Sequence, residues 1–464
     1  MARMIPNKLI ILLVFAVSGL GSGCATLPDT SKIIADIPPD HRPPRIASSR
    51  GLLSPQQSKQ ILDRLKSSVE PTDILNHHLT VMEVLSGKPI VKGNRAELLI
   101  DGPATYAAMF KAIENARNHI DMETYIFEDD ETGHKLADLL VRKQQEGVQV
   151  NLIYDSVGSI NTPPAFFQAL RDKGISVLEY NPVNPLKARR KWRLTRRDHR
   201  KVLVVDGSIA ITGGVNISHV YSGMFFGKEA TGTTGIPWRD TDVLIEGPVV
   251  AQFQELFFNT WKWQKGPEIP DRDYFPKLGA KGSDLVQVIQ SSPGEKRRTT
   301  FIMYLSGIMS AERTIHLTNS YFVPDRQMVN ALTEAARSGV DVKLILPKNS
   351  DSQLAMNAGR YYYEELLDAG VKLYELRNAL LHAKTAVIDE VWSTVGSTNM
   401  DFLSFSTNNE VNAIILSSSF AAEMEDMFAR DLENSDIITK EKWDKRPMVD
   451  RIREWFAHLF SRLL

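Results

Sequence analysis

The chain carries one histidine-lysine-aspartate pattern twice: His199, Lys201 and Asp206 in DHRKVLVVD, and His382, Lys384 and Asp389 in LHAKTAVID. Each copy leads to a small-residue turn ending in asparagine, Gly213-Gly214-Val215-Asn216 and Gly396-Ser397-Thr398-Asn399. Two extended copies in one chain point to a duplicated unit, so the fold has to accommodate two equivalent halves. Lys201 to Asp206 and Lys384 to Asp389 enclose apolar runs, 202–205 and 385–388, that suit buried strands. Side chains on a strand alternate faces, which sends each His and Lys to one side and the Asp to the other. The two His-Lys pairs are therefore expected to face a substrate, with Asp206 and Asp389 bracing the strand-to-turn geometry.

The repeat reaches beyond the motifs. GVQVNLI at 147–153 parallels GVDVKLI at 339–345, and GISV at 174–177 parallels GVKL at 370–373. Each follows a helical pattern and reads as a glycine-capped helix entering a strand, with helices at about 133–145, 164–172, 325–338 and 359–368. This alternation predicts an α/β fold, helices on both faces of a mixed sheet, and two such halves meeting at a shared cleft.

The pattern HxKxxxxD followed by G[GS]xN resembles the phospholipase D superfamily, and both copies meet it in full. Over about residues 95–435 the text is most similar to bacterial cardiolipin synthases, including YIFEDD at 125–130, WRDTD at 238–242, SYFVP at 320–324 and NNEVN at 408–412. The resemblance implies two tandem α/β/α domains packed as a pseudo-two-fold pair with one shared active-site cleft. It also implies phosphatidyl transfer through a phosphohistidine, from one phospholipid to a lipid alcohol such as phosphatidylglycerol, without a cofactor.

A phosphodiester is anionic, so a protein acting on it without metal needs fixed cations and a nucleophile that stays uncharged until attack. Lys201 and Lys384 are candidates for the charge, and Asn216 and Asn399 for directional donors, with turn-capping as the lesser alternative for either asparagine. One imidazole attacks and the other handles the proton; the resemblance implies His199 as nucleophile and His382 as general acid/base. It further implies an acidic, histidine-orienting residue downstream of each motif, Asp240 and Glu410, with Asp242 as a competitor for the first.

A single cysteine, Cys24, rules out disulfides within the chain and a cysteine-rich zinc cluster, and no metal site is expected. Arg3 and Lys8 followed by apolar 9–20 and then Cys24 resemble a lipoprotein signal peptide, although Gly21 stands where an aliphatic residue is usual. Export is expected, with lipidation at Cys24 and, from Ala25, passage to the outer membrane as a lipoprotein facing the periplasm. The chain thus divides into a signal at 1–23, a proline-rich tether with a short helix at 24–93, phospholipase D-like domains at 94–278 and 279–436, and an amphipathic helix at 437–464. Pro38, Pro39, Pro43 and Pro44 are the basis for the tether.

Overall charge is balanced, 55 basic against 56 acidic side chains. Locally, KARRKWRLTRRDHRK at 187–201 leads into the first motif and would concentrate a polyanion, whether phospholipid headgroup or nucleic acid. Met224-Phe225-Phe226 offers an apolar lip. In the tail, Ile452, Trp455, Phe456, Leu459, Phe460, Leu463 and Leu464 recur at helical spacing beside Arg451, Arg453 and Arg462. That helix suits either a bilayer surface or packing onto the catalytic body. An export signal and such a tail favour membrane phospholipids over nucleic acid as the partner. Hydrolysis to phosphatidic acid, a nucleic-acid phosphodiesterase and a non-catalytic lipid-binding protein are the alternatives; oligomeric state is unknown.

Overall fold

The structure, a computed structural model, describes residues 27–35, 37, 43–187, 195–223, 236–295 and 297–464. The signal segment, Cys24, Pro38 and Pro39, 188–194 of the basic run and Met224-Phe225-Phe226 lie outside the described residues. A short antiparallel pair, β1 (Ile46–Ser48) and β2 (Gly51–Leu52), sets β1 parallel against β3 (Ile90–Ile100).

The first half then adds β4 (His119–Thr124), β5 (Gln149–Asp155), β6 (Ser176–Tyr180), β7 (Val202–Val205), β8 (Ile209–Gly213), the two-residue β9 (Trp238–Arg239) and β10 (Thr241–Glu246). Its sheet runs β3-β10-β8-β7-β4-β5-β6, with β4, β5 and β6 parallel and the rest antiparallel. The second half repeats the plan with β11 (Asp284–Ser291), β12 (Thr314–Asn319), β13 (Asp341–Pro347), β14 (Lys372–Leu376), the short β15 (Leu380–Leu381), β16 (Lys384–Ile388), β17 (Trp392–Gly396) and β18 (Glu410–Leu416). Its order is β11-β18-β17-β16-β12-β13-β14, closed at the edge by antiparallel β19 (Ser435–Ile438). The boundary expected at 436 thus falls inside a strand. β3 and β11 pair with each other, so the two halves share one continuous sheet.

Local chemistry explains the matching elements. Asp130 and Asp325 cap the helices Glu131–Gln145 and Arg326–Arg337 by accepting the N–H of Gly133 and Met328. Gly147, Gly174, Gly339 and Gly370 take positive φ where helix gives way to strand, the conformation that makes glycine the preferred residue there. The motif strands, although antiparallel to their neighbours, are buried on both faces because one face packs in its own half and the other in a core shared by the two halves. Leu203 and Val205 join the core of the first half, whereas Val202 and Val204 join a central core with Val387, Val395 and Val411 of the second. Helices Val250–Trp263 and Ser418–Glu433 feed Phe253, Leu256, Phe420 and Met424 into that same central core, so the halves are held together by apolar burial.

Asp206 and Asp389 sit at the ends of β7 and β16 with φ 51 and 50, a left-handed conformation that aspartate tolerates better than most side chains. Asp206 accepts the backbone N–H groups of Arg117, Asn118 and His119, and Asp389 those of Glu312, Arg313 and Thr314. Each carboxylate therefore ties its hairpin to the start of the neighbouring strand and stands outside the cavity described below.

Residues 43–93 are more than a tether. Leu62, Ile74, Leu79, Val81 and Met82 are buried among Phe301, Tyr304 and Ile308 of the second half, and the Thr72 hydroxyl donates to Asp389. Helices Pro55–Ser67 and His77–Ser86 bury one face each, which outweighs the local effect of the prolines at 43 and 44. The tail, expected as one amphipathic helix, is two: Lys440–Asp444 and Met448–His458, followed by a 3₁₀ turn. Among the described residues no helix is long and apolar enough to cross a membrane.

Candidate active site

Each motif histidine lies just before its strand, in a segment that bridges to the other half. Asp198 and Asn409 form a parallel bridge, and β9 pairs with β15 in parallel, Leu381 against Arg239. Consequently the His199 N–H donates to the Asn409 carbonyl at 3.1 Å and the His382 N–H to the Arg239 carbonyl at 2.8 Å. The residue after each of those carbonyls is an acid, so each imidazole meets a carboxylate from the opposite half.

His199 Nδ1 stands 3.1 Å from both oxygens of Glu410, and His382 Nδ1 stands 2.8 Å from Asp240 Oδ2. The pairing crosses: the acid downstream of each motif serves the other motif's histidine. Asp242, the competitor for Asp240, instead accepts the Val215 N–H at 3.0 Å. Two small residues make the approach of the acids possible. A Cβ on Gly214 would lie 2.1 Å from Asp240 Oδ1, and at the matching place in the second turn the Ser397 hydroxyl donates to Glu410 at 2.5 Å. With Nδ1–H committed to a carboxylate, Nε2 is the ring nitrogen left for chemistry.

Both histidines line one cavity of about 450 Å³ together with Asn216 and Asn399. Apolar and aromatic side chains make up much of its wall, among them Val157, Ile160, Trp238 and Leu464. Tyr125 packs edge-on to His199 with centroids 5.1 Å apart, and Tyr221 to His382 at 5.6 Å. Tyr221 links the first asparagine to the second histidine: Asn216 Nδ2 donates to its hydroxyl, which lies 3.4 Å from His382 Nδ1. Asn216 Oδ1 accepts the Ile126 N–H, so both ends of that amide are engaged. Asn399 accepts from the Ser320 hydroxyl and keeps its NH₂ without a protein acceptor among the described residues.

The lysines differ from the strand-face expectation. Lys201 Nζ donates to the carbonyl of His199 at 2.7 Å and Lys384 Nζ to that of His382, and neither is among the cavity-lining residues. They sit buried, each turned back onto the carbonyl of its own motif histidine.

Burial and the neighbouring lysine charge lower the pKa of His199, and lower that of His382 to about 4, against the opposing pull of Glu410 and Asp240. Burial raises the two carboxyls, but the histidine beside each, together with a nearby lysine and the Thr241 N–H or Ser397 hydroxyl, outweighs it and leaves Asp240 and Glu410 below their usual values. Burial, then the charge of Lys384, brings Lys201 to about 7; burial brings Lys384 to about 8. The lowered values favour neutral imidazoles and ionised carboxylates at neutral pH, and a bound anion beside them would raise the proton affinity of the histidines.

Of the basic run, the described part places Arg197 in the cavity wall beside His199 and buries Arg200. Arg197 lies 3.4 Å from Asp155, and Arg200 is buried, donating to Thr260, Ser291 and the Glu410 carbonyl. Three further residues escaped the sequence pattern. Arg239, fully buried, holds Asp431 through Nε at 2.9 Å and Nη2 at 2.8 Å, and donates to the Asp240 carbonyl, which fixes the strand carrying that acid. Tyr221 and Ser397 were the other two; the Gly-to-Ser difference between the turns was a signal for Ser397, and Tyr221 had none. Glu128, Asp130 and His219 gather away from the cavity, but Asp130 is engaged by Gly133 and His219 and Glu128 by Ser218.

Residues 109–222 and 304–432 match the family described as cardiolipin synthase, PLD-like domain. The chain is 34% identical over 385 residues to a cardiolipin synthase of Alkalihalophilus pseudofirmus, covering 82% of this chain and 74% of that one. It is 36% identical over 379 residues to cardiolipin synthase 1 of Staphylococcus epidermidis, covering 81% and 75%. The crystal structure of a phosphatidylserine synthase from Haemophilus influenzae shares the fold, with a TM-score of 0.64 at 13% identity over 84% of this chain and all of that one. The duplicated fold and paired motifs are those of the phospholipase D superfamily. Within it, the chain belongs to the cardiolipin synthase family of phospholipase D-like domain proteins.

Proposed function

We propose that the protein is a phosphatidyltransferase of cardiolipin synthase type. The observation that carries this reading is one aromatic and apolar cavity lined by two histidines, each oriented by a carboxylate from the other half. His199 Nε2 attacks the phosphorus of a donor phospholipid, the bond to the headgroup oxygen breaks, and His382 gives that oxygen its proton. The phosphatidyl group rests on His199. The hydroxyl of a second lipid then loses its proton to His382 and attacks phosphorus, breaking the N–P bond and freeing His199. With phosphatidylglycerol as donor and acceptor the products are cardiolipin and glycerol. The phosphate anion raises the pKa of His382 and so favours the protonated acid that the first step needs. Asp240 and Glu410 hold the imidazole tautomers; the buried lysines add positive charge behind the attacked phosphate.

Labelled phospholipid incubated with and without phosphatidylglycerol, followed by product identification, tests the reading. Labelled cardiolipin that appears only with the acceptor is the expected result. Phosphatidic acid as the sole product would mark a hydrolase and overturn it.

The lysines bind an anion only while protonated, and both have depressed pKa values, so their charge is present at low pH and lost as pH rises. Inhibition by dimethyl phosphate, a monoanion throughout, should begin to weaken above about pH 7 as Lys201 loses its proton and further above about pH 8 as Lys384 does, by up to about tenfold per pH unit for each. A flat inhibition profile from pH 6 to 9 would remove the lysines from anion binding.

We also propose that the chain is exported and lipidated at Cys24. Arg3, Lys8, the apolar stretch at 9–20 and Ala25 support delivery to the periplasmic side, with the outer membrane as destination. Metabolic labelling with palmitate should mark the wild-type chain and miss Cys24→Ser; equal labelling of both excludes that anchor.

A further inference from the structure

The helix Met448–His458 is docked on its less apolar side. Ala457 and Glu454 are buried, Glu454 pairs with Arg446 at 3.1 Å, and His458 stacks on Tyr361 with centroids 4.0 Å apart. This leaves Ile452 57%, Trp455 53%, Phe456 55% and Leu459 58% exposed, at helical spacing on one face. The fixed docking side prevents that face from turning inward, and four large apolar side chains held in water are costly unless something covers them.

Two observations identify the occupant. Arg451, Arg453 and Arg462 flank the face, and Arg462 has no acidic partner among the described residues, which suits an anionic surface. The docked side of the helix, opposite that face, also reaches the substrate cavity. Leu464, beyond the same helix, lines the cavity, and its carbonyl accepts the Leu403 N–H at 3.0 Å. The partner helix Gln353–Arg360 carries Ala355 into the cavity wall.

We propose that the Ile452, Trp455, Phe456 and Leu459 face is the bilayer-docking surface, seated among anionic phospholipids so that the cavity mouth lies at headgroup level. It rests on the phosphatidyltransferase reading: a diacyl substrate must present its phosphate to the histidines while its chains remain in lipid. Aromatic and aliphatic side chains beside arginine are the composition of an interfacial helix.

A nitroxide spin label on Phe456→Cys, in a Cys24→Ser background of the full chain, tests the proposal, with Gln168→Cys as the exposed reference. Accessibility to oxygen relative to a water-soluble nickel chelate is read with and without vesicles of phosphatidylethanolamine and phosphatidylglycerol. On vesicles this ratio should rise at least about threefold at 456 and stay constant at 168. A label at 456 that lies no deeper than the one at 168 overturns the proposal. Dipolar broadening at 456 without vesicles, unchanged when they are added, also overturns it and assigns the face to a second copy. Trp455→Glu with Phe456→Glu should lower turnover of vesicle phospholipid relative to a monomeric short-chain phospholipid at least about fivefold; an unchanged ratio counts against docking. Depth is read without turnover, so a protein that buries position 456 yet transfers no phosphatidyl group refutes the transferase reading alone.

Discussion

His199→Ala and His382→Ala each lower phosphatidyl transfer at least about a thousandfold, because both partial reactions need a nucleophile and a proton carrier. The two losses differ in kind. A phosphatidyl ester with a nitrophenol headgroup expels its leaving group without a proton, so the first step no longer depends on a general acid. Release of nitrophenol should therefore recover in His382→Ala and stay absent in His199→Ala. The His382→Ala protein, unable to activate an acceptor, should accumulate phosphatidyl on His199, detected by mass spectrometry of the labelled peptide. Recovery in His199→Ala and not in His382→Ala would exchange the two roles.

The second large effect follows from the crossed carboxylates. Asp240→Asn and Glu410→Gln keep size and remove charge, leaving an imidazole without the partner that sets its tautomer, at a cost of about a hundred- to ten-thousandfold in turnover. Asp240 faces His382 and Glu410 faces His199. Nitrophenol release should therefore recover in Asp240→Asn and remain low in Glu410→Gln. An in-line arrangement, each acid serving the histidine of its own motif, requires the reverse, so this one measurement separates the two geometries. Ser397 donates to Glu410, and Ser397→Ala should resemble a mild Glu410→Gln without loss of folded protein.

Much of the fold was legible because it is written in local terms. Gly147 and Gly339 end helices by positive φ, the alternation of strands and helices follows from apolar period, and the motif aspartates suit left-handed turns. His199 and His382 stood out as candidates because the motif is long and occurs twice, whereas Asp240 and Glu410 came from the family resemblance, and the structure sets each of these acids against one of the histidines. Residues 43–93 were misread because proline acts locally, whereas Ile74 and Val81 are held by Phe301 and Tyr304, more than two hundred residues on. Arg200 reads as part of a run that gathers a polyanion, since nothing nearby announces Thr260, Ser291 and the Glu410 carbonyl as its acceptors.

By itself the sequence determined the duplication, the α/β character of each half and the residue types that meet a phosphodiester. Those follow from spacing along one strand and one turn. The tertiary structure decided which acid serves which histidine, that each lysine turns back onto the carbonyl of its own motif histidine, and that the tail helix turns its apolar face outward. The reason is that parallel bridges between the halves, Asp198 with Asn409 and Arg239 with Leu381, bring together residues separated by most of a domain. Spacing within either motif carries no information about such contacts; only the packing of one half on the other creates them.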